Sequence, residues 1–291
     1  MCVSFSIEKK VIGAFVALIS LTGCSPLGFF NAVVPYDQGS EQVAQDIAYG
    51  DDPRHRLDIY APSDRAQGKK LPTIVFFYGG SWKTGQKNHY EFAGRALAAL
   101  GAVVVVADYR LVPDVRFPDF IKDNAAAVAW TQQQIDQYGG DPKRVYLAGH
   151  SAGAYNALLL GLDTRYLKDA GAVPGDIVGL IGISGPYDFD PKEYKVTRDA
   201  FAGSLDDPDV SPVKFVSGDT PPTLLFHGED DRTVLPKNTR VLAAALTEAQ
   251  RPAETHFYPD LSHADTVLAL STLLRGKAPI LDEIKRFIQS P

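Results

Sequence analysis

The chain of 291 residues has few cysteines, few basic clusters and no long apolar run. Its two cysteines, Cys2 and Cys24, exclude a disulfide framework and a cysteine-based metal site once a leader is removed. The formal net charge is −6, and no basic run occurs beyond the N-terminus, which argues against nucleic acid as a partner. Since 45% of the residues are hydrophobic, the sequence predicts a folded domain that is stabilised by core burial.

The N-terminus has the pattern of an export signal. Lys9 and Lys10 precede an apolar stretch at 11–20 that is too short to span a membrane, and Leu-Thr-Gly-Cys follows at 21–24. This ending resembles the bacterial lipobox, which implies a signal peptide at 1–23, lipidation of Cys24 and a membrane anchor. An ordinary signal with an incidental cysteine is the alternative.

The residues after Cys24 bear on the location of the mature protein. Ser25, rather than an aspartate, follows the cysteine, so the lipobox resemblance favours the outer membrane or the cell surface over the inner membrane. Residues 24–45 have a weak pattern, and we predict a tether there.

Residues 46–291 alternate between apolar, strand-like runs and segments with helical spacing. The runs at 73–78, 102–107 and 145–148 are almost entirely apolar, as expected for strands that are buried on both faces. Repeated alternation of this kind predicts an α/β domain, with a mostly parallel sheet and helices on both faces.

The segment 185–222 interrupts this alternation. It is rich in proline, tyrosine and phenylalanine and follows a predicted strand at 177–184. A long insertion after a sheet strand is often a lid or a pocket wall. A surface excursion with its own small core is an equally good interpretation.

The pentapeptide Gly-His-Ser-Ala-Gly at 149–153 joins a predicted strand at 144–148 to a predicted helix at 154–162. A G-x-S-x-G sequence between a strand and a helix is typical of a nucleophile elbow, which presents its serine above the sheet. Ser151 is therefore the candidate nucleophile. A serine hydroxyl needs a nearby base, and that base needs an orienting acid.

Chain order selects the base, because elbow-type enzymes place the acid and then the histidine after the serine. Of the three histidines beyond His150, His256 lies within a predicted strand, and His227 precedes the acidic run that follows it. His263 lies in a loop beyond the last predicted strand, where α/β active sites assemble. We therefore predict His263 as the base.

The candidate acids are Glu229, Asp230 and Asp231, which follow one predicted strand, with Asp260 as a further possibility. An acyl-transfer site also needs backbone donors for the developing oxyanion. The amide of Ala152 is one candidate donor. Further candidates lie in the loop at 79–82, where glycines allow a close approach to a substrate.

Five motifs in this order resemble the α/β-hydrolase superfamily, in particular its lipase and esterase branch. They are Tyr-Gly-Gly-Ser-Trp at 78–82, Asp-Tyr-Arg-Leu at 108–111, the pentapeptide at 149–153, His-Gly-x-x-Asp-x-x-Val at 227–234, and His263. The resemblance covers residues 46–290. Within that branch the chain is similar to hormone-sensitive-lipase-like, feruloyl-esterase-like and isoprenylcysteine-methylesterase-like carboxylesterases.

The resemblance implies particular roles. It places the acid at Asp231 and the oxyanion amides at Gly80 and Ala152, with Gly79 or Ser81 as a third donor. The family usually has a histidine where this chain has Tyr78, so the loop must be braced differently.

The predicted function is that of a serine carboxylesterase on small-molecule esters, with no metal or other cofactor. Trp82 and Tyr187 are the predicted pocket residues. The alternatives are hydrolysis of a C–N bond by the same three residues, and a silent hydrolase fold that binds a partner.

Overall fold

The computed structural model describes residues 26–65, 68, 70–251 and 253–289, so the predicted signal peptide and Cys24 lie outside the described residues. The described residues form one eight-stranded sheet. Its strands are β1 (Ser40–Ala48), β2 (Arg56–Pro62), β3 (Leu71–Phe77), β4 (Val103–Ala107), β5 (Gly140–His150), β6 (Ile177–Ile183), β7 (Thr223–Gly228) and β8 (Glu254–Tyr258).

The strand order is β1-β2-β4-β3-β5-β6-β7-β8. The pairs β1–β2 and β2–β4 are antiparallel, and every pair from β4 to β8 is parallel. All five residues of β4 and all six of β7 are buried, so both faces of the sheet are covered. This confirms the predicted mostly parallel sheet with helices on both faces.

Helices connect the strands and supply this cover. They are α1 (Pro26–Val33), α2 (Glu91–Ala98), α3 (Asp119–Gln134), α4 (Ala152–Leu162), α5 (Arg165–Asp169), α6 (Lys195–Ala200), α7 (Lys237–Glu248), α8 (His263–Leu268) and α9 (Ile280–Gln289). The central helix α4 is buried along its whole length. No helix within the described ranges has the length and the apolar character that crossing a membrane requires.

The topology brings four loops to one edge of the sheet. Strands β3, β5, β7 and β8 are parallel, so their carboxyl ends face the same way. The segments that follow them carry residues 78–85, Ser151, Asp231 and His263. The predicted catalytic residues therefore share the edge at which α/β proteins bind ligands.

The predicted tether at 24–45 is wrong for most of its length, because α1 and the first part of β1 lie within it. Phe30 packs edge-on against Phe92 of α2, with ring centroids 5.4 Å apart. The buried Asn31 donates to Asn88 O at 2.8 Å and accepts from Phe92 N at 2.9 Å. These contacts fix the segment to the domain, which therefore begins well before residue 46.

The insertion at 185–222 contains α6 and two short 3₁₀ turns, Pro208–Val210 and Pro212–Phe215. Phe201 is fully buried and stacks on Phe117 with centroids 5.1 Å apart. The hydroxyl of Tyr155 donates to Val210 O at 2.7 Å, which joins the insertion to α4. The segment is therefore packed onto the domain rather than projecting from it.

Candidate active site

Ser151 lies in a strained turn between β5 and α4. Its φ of 56° and ψ of −124° fall outside the regions that a serine normally adopts. A Cβ at Gly149 would lie 2.3 Å from Gly153 O, and a Cβ at Gly153 would lie 2.0 Å from Phe77 O. Only glycine fits at either position, so the pentapeptide has the close packing of a nucleophile elbow.

Ser151, His263 and Asp231 form one chain of hydrogen bonds. His263 Nδ1 lies 2.7 Å from Asp231 Oδ2, and His263 Nε2 lies 2.9 Å from Ser151 Oγ. A carboxylate only accepts, so the proton lies on Nδ1 and Nε2 is free to accept from the serine hydroxyl. This is the arrangement in which a histidine can remove the serine proton.

Asp231 is buried, with 1% of its surface exposed, and it has several donors. Its Oδ1 accepts from the amides of Thr233 at 2.8 Å and Val234 at 2.9 Å. Behind it, His227 Nε2 lies 3.3 Å from Oδ2. Burial raises the pKa of Asp231, but the hydrogen bonds from His227 and His263 outweigh burial and hold that pKa well below its ordinary range. The carboxylate therefore stays charged.

The other candidate histidines lie elsewhere. His227 Nε2 donates to Val234 O at 2.8 Å, and its Nδ1 lies 2.7 Å from the Thr239 hydroxyl, so His227 braces the acid rather than the serine. His256 stacks on Phe226 in the sheet, with centroids 5.4 Å apart. Both histidines therefore lie away from the serine, as predicted, but the contact of His227 with the acid was not predicted, although His227 opens the His-Gly-x-x-Asp motif.

The neighbouring carboxylates also have other partners. Glu229 pairs with Arg240 at 2.5 Å, and Asp230 is an exposed residue 3.8 Å from Arg232. The structure brings neither of them to His263, and among the described residues the acidic hydrogen-bond partner of its Nδ1 is Asp231.

The loop after β3 packs directly against the elbow, since a Cβ at Gly79 would lie 2.9 Å from Ser151 Cβ. Gly79 was a candidate oxyanion donor, but its amide donates to the Tyr90 hydroxyl at 3.2 Å. Its proton is therefore engaged, and the prediction for Gly79 is wrong. Among the described residues, none accepts a hydrogen bond from the amides of Gly80, Ser81 or Ala152, which remain available.

Tyr78 braces this loop in place of the usual histidine. Its hydroxyl accepts from Arg54 Nη2 at 2.7 Å and donates to Asp108 Oδ1 at 2.8 Å. Its ring stacks between Tyr90 and Tyr109, with centroids 5.6 Å and 4.8 Å away. A buried aromatic stack and a charge-assisted network thus hold the start of the loop.

A cavity of about 170 Å³ opens beside Ser151. It lies between the loop at 81–82, the insertion and the segment at 233–238. Trp82 lines this cavity, as predicted for a pocket residue. Tyr187 does not: it is fully buried beneath the wall, and its neighbours Pro186 and Asp188 face the cavity instead. The pocket prediction is therefore wrong for Tyr187, because the chain turns its side chain into the core there.

His150, which lies between Gly149 and Ser151 in the pentapeptide, also contacts His263. Its Nε2 donates to His263 O at 3.1 Å, and the two rings lie 4.9 Å apart. Its Nδ1 is buried without a hydrogen-bond partner in the described part of the chain. Burial, with the adjacent His263, lowers the pKa of His150 to about 3, so this imidazole is neutral. No pattern in the sequence predicts this contact.

Among the described residues, one trio, Glu254, His256 and Glu283, has side chains close enough together to hold a cation. Arg286 already donates to Glu254 at 3.2 Å. Glu254 opens β8 and so lies at the amino end of that strand, away from Ser151. The trio therefore lies apart from Ser151, His263 and Asp231.

The sheet, the elbow and the order of the site residues define an α/β-hydrolase fold. The chain belongs to the BD-FAE family, whose model matches residues 57–246. Esterase B from Lactobacillus rhamnosis has the same fold, with a TM-score of 0.77 at 21% identity over 96% of this chain and 94% of that one.

Curated relatives from plants match over most of this chain. A probable isoprenylcysteine alpha-carbonyl methylesterase of Oryza sativa subsp. japonica is 31% identical over 98% of this chain and 71% of its own length. An isoprenylcysteine alpha-carbonyl methylesterase of Arabidopsis thaliana is 32% identical over 86% of this chain, which spans 63% of that protein. These relatives support carboxylic ester hydrolysis as the activity of this chain.

Proposed function

We propose that this protein is a serine carboxylesterase that works through an acyl-enzyme. The observation that carries the proposal is the continuous hydrogen-bonded chain from Ser151 through His263 to Asp231. Next to that chain, Ala152 follows the serine directly, and the loop at 79–82 packs against it, since a Cβ at Gly79 would lie 2.9 Å from Ser151 Cβ.

Each group has a defined part in the proposed reaction. Ser151 Oγ attacks the ester carbonyl while its proton moves to His263 Nε2. The charged Asp231 stabilises the imidazolium that forms. The amides of Gly80, Ser81 and Ala152 donate to the oxyanion, where preorganised donors contribute most to catalysis. His263 then protonates the leaving alcohol, and water removes the acyl group by the same route.

The size of the cavity beside Ser151 favours a substrate with a small group on one side of the scissile bond. Its volume of about 170 Å³ is below the range that holds drug-sized ligands. Trp82, Phe189 and Leu235 supply apolar surface to its lining. We therefore expect p-nitrophenyl acetate and butyrate to be hydrolysed faster than the decanoate. Since the plant relatives are named methylesterases, an S-farnesylcysteine methyl ester also belongs in the substrate panel.

The test is hydrolysis of p-nitrophenyl acetate by wild type and by Ser151→Ala. We expect the variant to lose turnover and labelling by a fluorophosphonate probe while its circular dichroism spectrum and melting temperature stay close to those of wild type. Wild-type turnover in Ser151→Ala would refute the proposal. Turnover of a matched anilide in preference to the ester would favour C–N hydrolysis, and an unlabelled wild-type serine would favour a silent binding protein.

We also propose that the protein is exported and anchored through a lipid on Cys24. The support is the sequence at 9–24 alone, which resembles a lipobox signal. Metabolic labelling with a palmitate analogue in a bacterial host tests this. Incorporation that disappears in Cys24→Ser is the expected result, and equal labelling of the two proteins, or of neither, would contradict it.

A further inference from the structure

The loop that carries the candidate oxyanion donors has an unusual backbone. Gly80, Ser81 and Trp82 have φ values of 132°, 55° and 58° in succession. Glycine adopts such values readily, but serine and tryptophan reach the left-handed region only against a steric penalty. Tertiary contacts must therefore hold this conformation.

Trp82 provides the main side-chain anchor of the loop. Only 2% of its surface is exposed, and its ring stacks on Phe120 and meets Tyr155 and Phe201 edge-on. The indole N–H donates to Asn156 Oδ1 at 2.9 Å. Packing fills the space around the ring, but this hydrogen bond fixes its direction, because indole has a single polar atom.

Asn156 is itself held in one orientation. Its Nδ2 donates to Asn124 Oδ1 at 3.3 Å, and Asn124 Nδ2 donates in turn to Phe120 O at 2.8 Å. Both asparagines are fully buried, where a polar group without a partner is costly. The network therefore links α3, α4 and the loop.

The position of Asn156 joins the two halves of the site. It lies on α4, the helix that begins directly after Ser151. One rigid helix thus positions the nucleophile at its start and, one turn further on, the indole that holds the donor loop. Asn156 is not among the cavity residues and makes no hydrogen bond to Ser151, His263 or Asp231.

We propose that Asn156 is a positioning residue for the oxyanion donors, an inference that rests on the proposed esterase function. Through Trp82 it keeps the amides of Gly80 and Ser81 aimed at the carbonyl oxygen that Ser151 attacks. Its contribution is to the transition states of acyl transfer rather than to substrate binding, since the bound ester carries no oxyanion.

The first variant is Asn156→Leu, which keeps the approximate volume and removes both hydrogen bonds. We expect kcat for p-nitrophenyl acetate to fall about 10- to 100-fold, as expected for a small displacement of aligned groups. KM should stay near the wild-type value. The Ki of a trifluoromethyl ketone, whose adduct carries an oxyanion, should rise by the same factor as kcat/KM falls. The pH dependence of kcat/KM should not move, because Asn156 does not contact the triad.

Trp82→Phe is the second variant, because it keeps an aromatic ring but deletes the N–H. Like Asn156→Leu, it should lower kcat and raise Ki. The double variant should be little worse than either single variant, since the two changes delete the same hydrogen bond between Trp82 and Asn156. The matched control is Tyr155→Phe. It deletes an equally buried hydrogen bond, 2.7 Å to Val210 O, from the neighbouring residue of α4. It should lower the melting temperature while leaving kcat and Ki unchanged.

Several results would overturn the inference. One is wild-type kcat and Ki in folded Asn156→Leu, or in Trp82→Phe if the first variant does not fold. Another is an equal loss of kcat in Tyr155→Phe, which would indicate general softening of the core. Activity in Ser151→Ala would overturn the proposed function and this inference with it, whereas an inactive Ser151→Ala beside a wild-type-like Asn156→Leu overturns the inference alone.

Discussion

Replacing His150 with glutamine should make the protein more resistant to acid. The folded protein lowers the pKa of His150 to about 3, against an ordinary value of 6.5, because the ring is buried and faces His263. The charge of Asp231 raises the pKa of His150 and His227 lowers it, but both effects are smaller than that of burial. Between the two pKa values, the unfolded chain binds a proton at this position that the folded protein does not bind.

The sign and size of the effect follow from this difference. Stability is at its full value above pH 6.5 and falls as the pH drops below it, by about 1.4 kcal/mol for each pH unit. From pH 7.5 to pH 5, only the roughly 1.5 units below the ordinary pKa count, so His150 lowers the free energy of unfolding by about 2 kcal/mol. Glutamine at 150 places an amide nitrogen where it can still donate to His263 O, and it does not titrate.

The assay is guanidinium unfolding at pH 7.5 and pH 5, followed by the fluorescence of the two tryptophans. Wild type should lose about 2 kcal/mol more than His150→Gln between these pH values. Thr131→Val is the control, since it deletes a buried hydrogen bond, 2.8 Å to Ala127 O, without removing a titratable group. An equal loss of stability in wild type and His150→Gln would refute the reasoning.

Two further predictions concern the acid and the elbow. Asp231→Asn should lower kcat for p-nitrophenyl acetate about 10⁴-fold with the fold intact. The reason is that an amide neither holds the imidazole of His263 in the tautomer with its proton on Nδ1 nor stabilises the imidazolium charge. A loss of less than tenfold would contradict an orienting role. Gly153→Ala should destabilise the protein by about 3 kcal/mol or more, since its Cβ would lie 2.0 Å from Phe77 O. Gly175→Ala, with nothing within 4 Å, should leave the unfolding midpoint unchanged, and equal midpoints for the two variants would argue against the steric account.

The parts of the site that were predictable have local chemical signatures. The G-x-S-x-G spacing is a local pattern between a strand and a helix, and Gly149 is required by a contact only four residues along the chain, so the pentapeptide could be recognised from the sequence alone. The contact that requires Gly153, with Phe77 O, joins distant segments and could not be predicted. Likewise, His263 and Asp231 follow adjacent parallel strands, and the alternation of strand-like and helical segments already indicated that each lies in a loop after a strand. The resemblance to a family was still needed to choose Asp231 from its acidic neighbours.

The wrong predictions depend on contacts between distant residues. Nothing in the sequence near Gly79 indicates that its amide would donate a hydrogen bond to the Tyr90 hydroxyl. For α1, the apolar positions that pack are too few to give a clear period, and their partner Phe92 lies about sixty residues further on. Tyr187 shares its segment with true cavity residues, and only the local backbone direction separates it from them.

The order of the strands also divides the active site into two parts that differ in the free energy needed to open them locally. The donor loop and the serine follow β3 and β5, which are neighbours in the middle of the sheet and largely buried. The base follows β8, an edge strand whose residues are all at least partly exposed. Because sheet edges open at a lower free energy than the core, we expect heat to release His263 while Ser151 and its donors remain ordered. The upper temperature for catalysis would then be governed by the detachment of a single strand, below the temperature at which the domain unfolds.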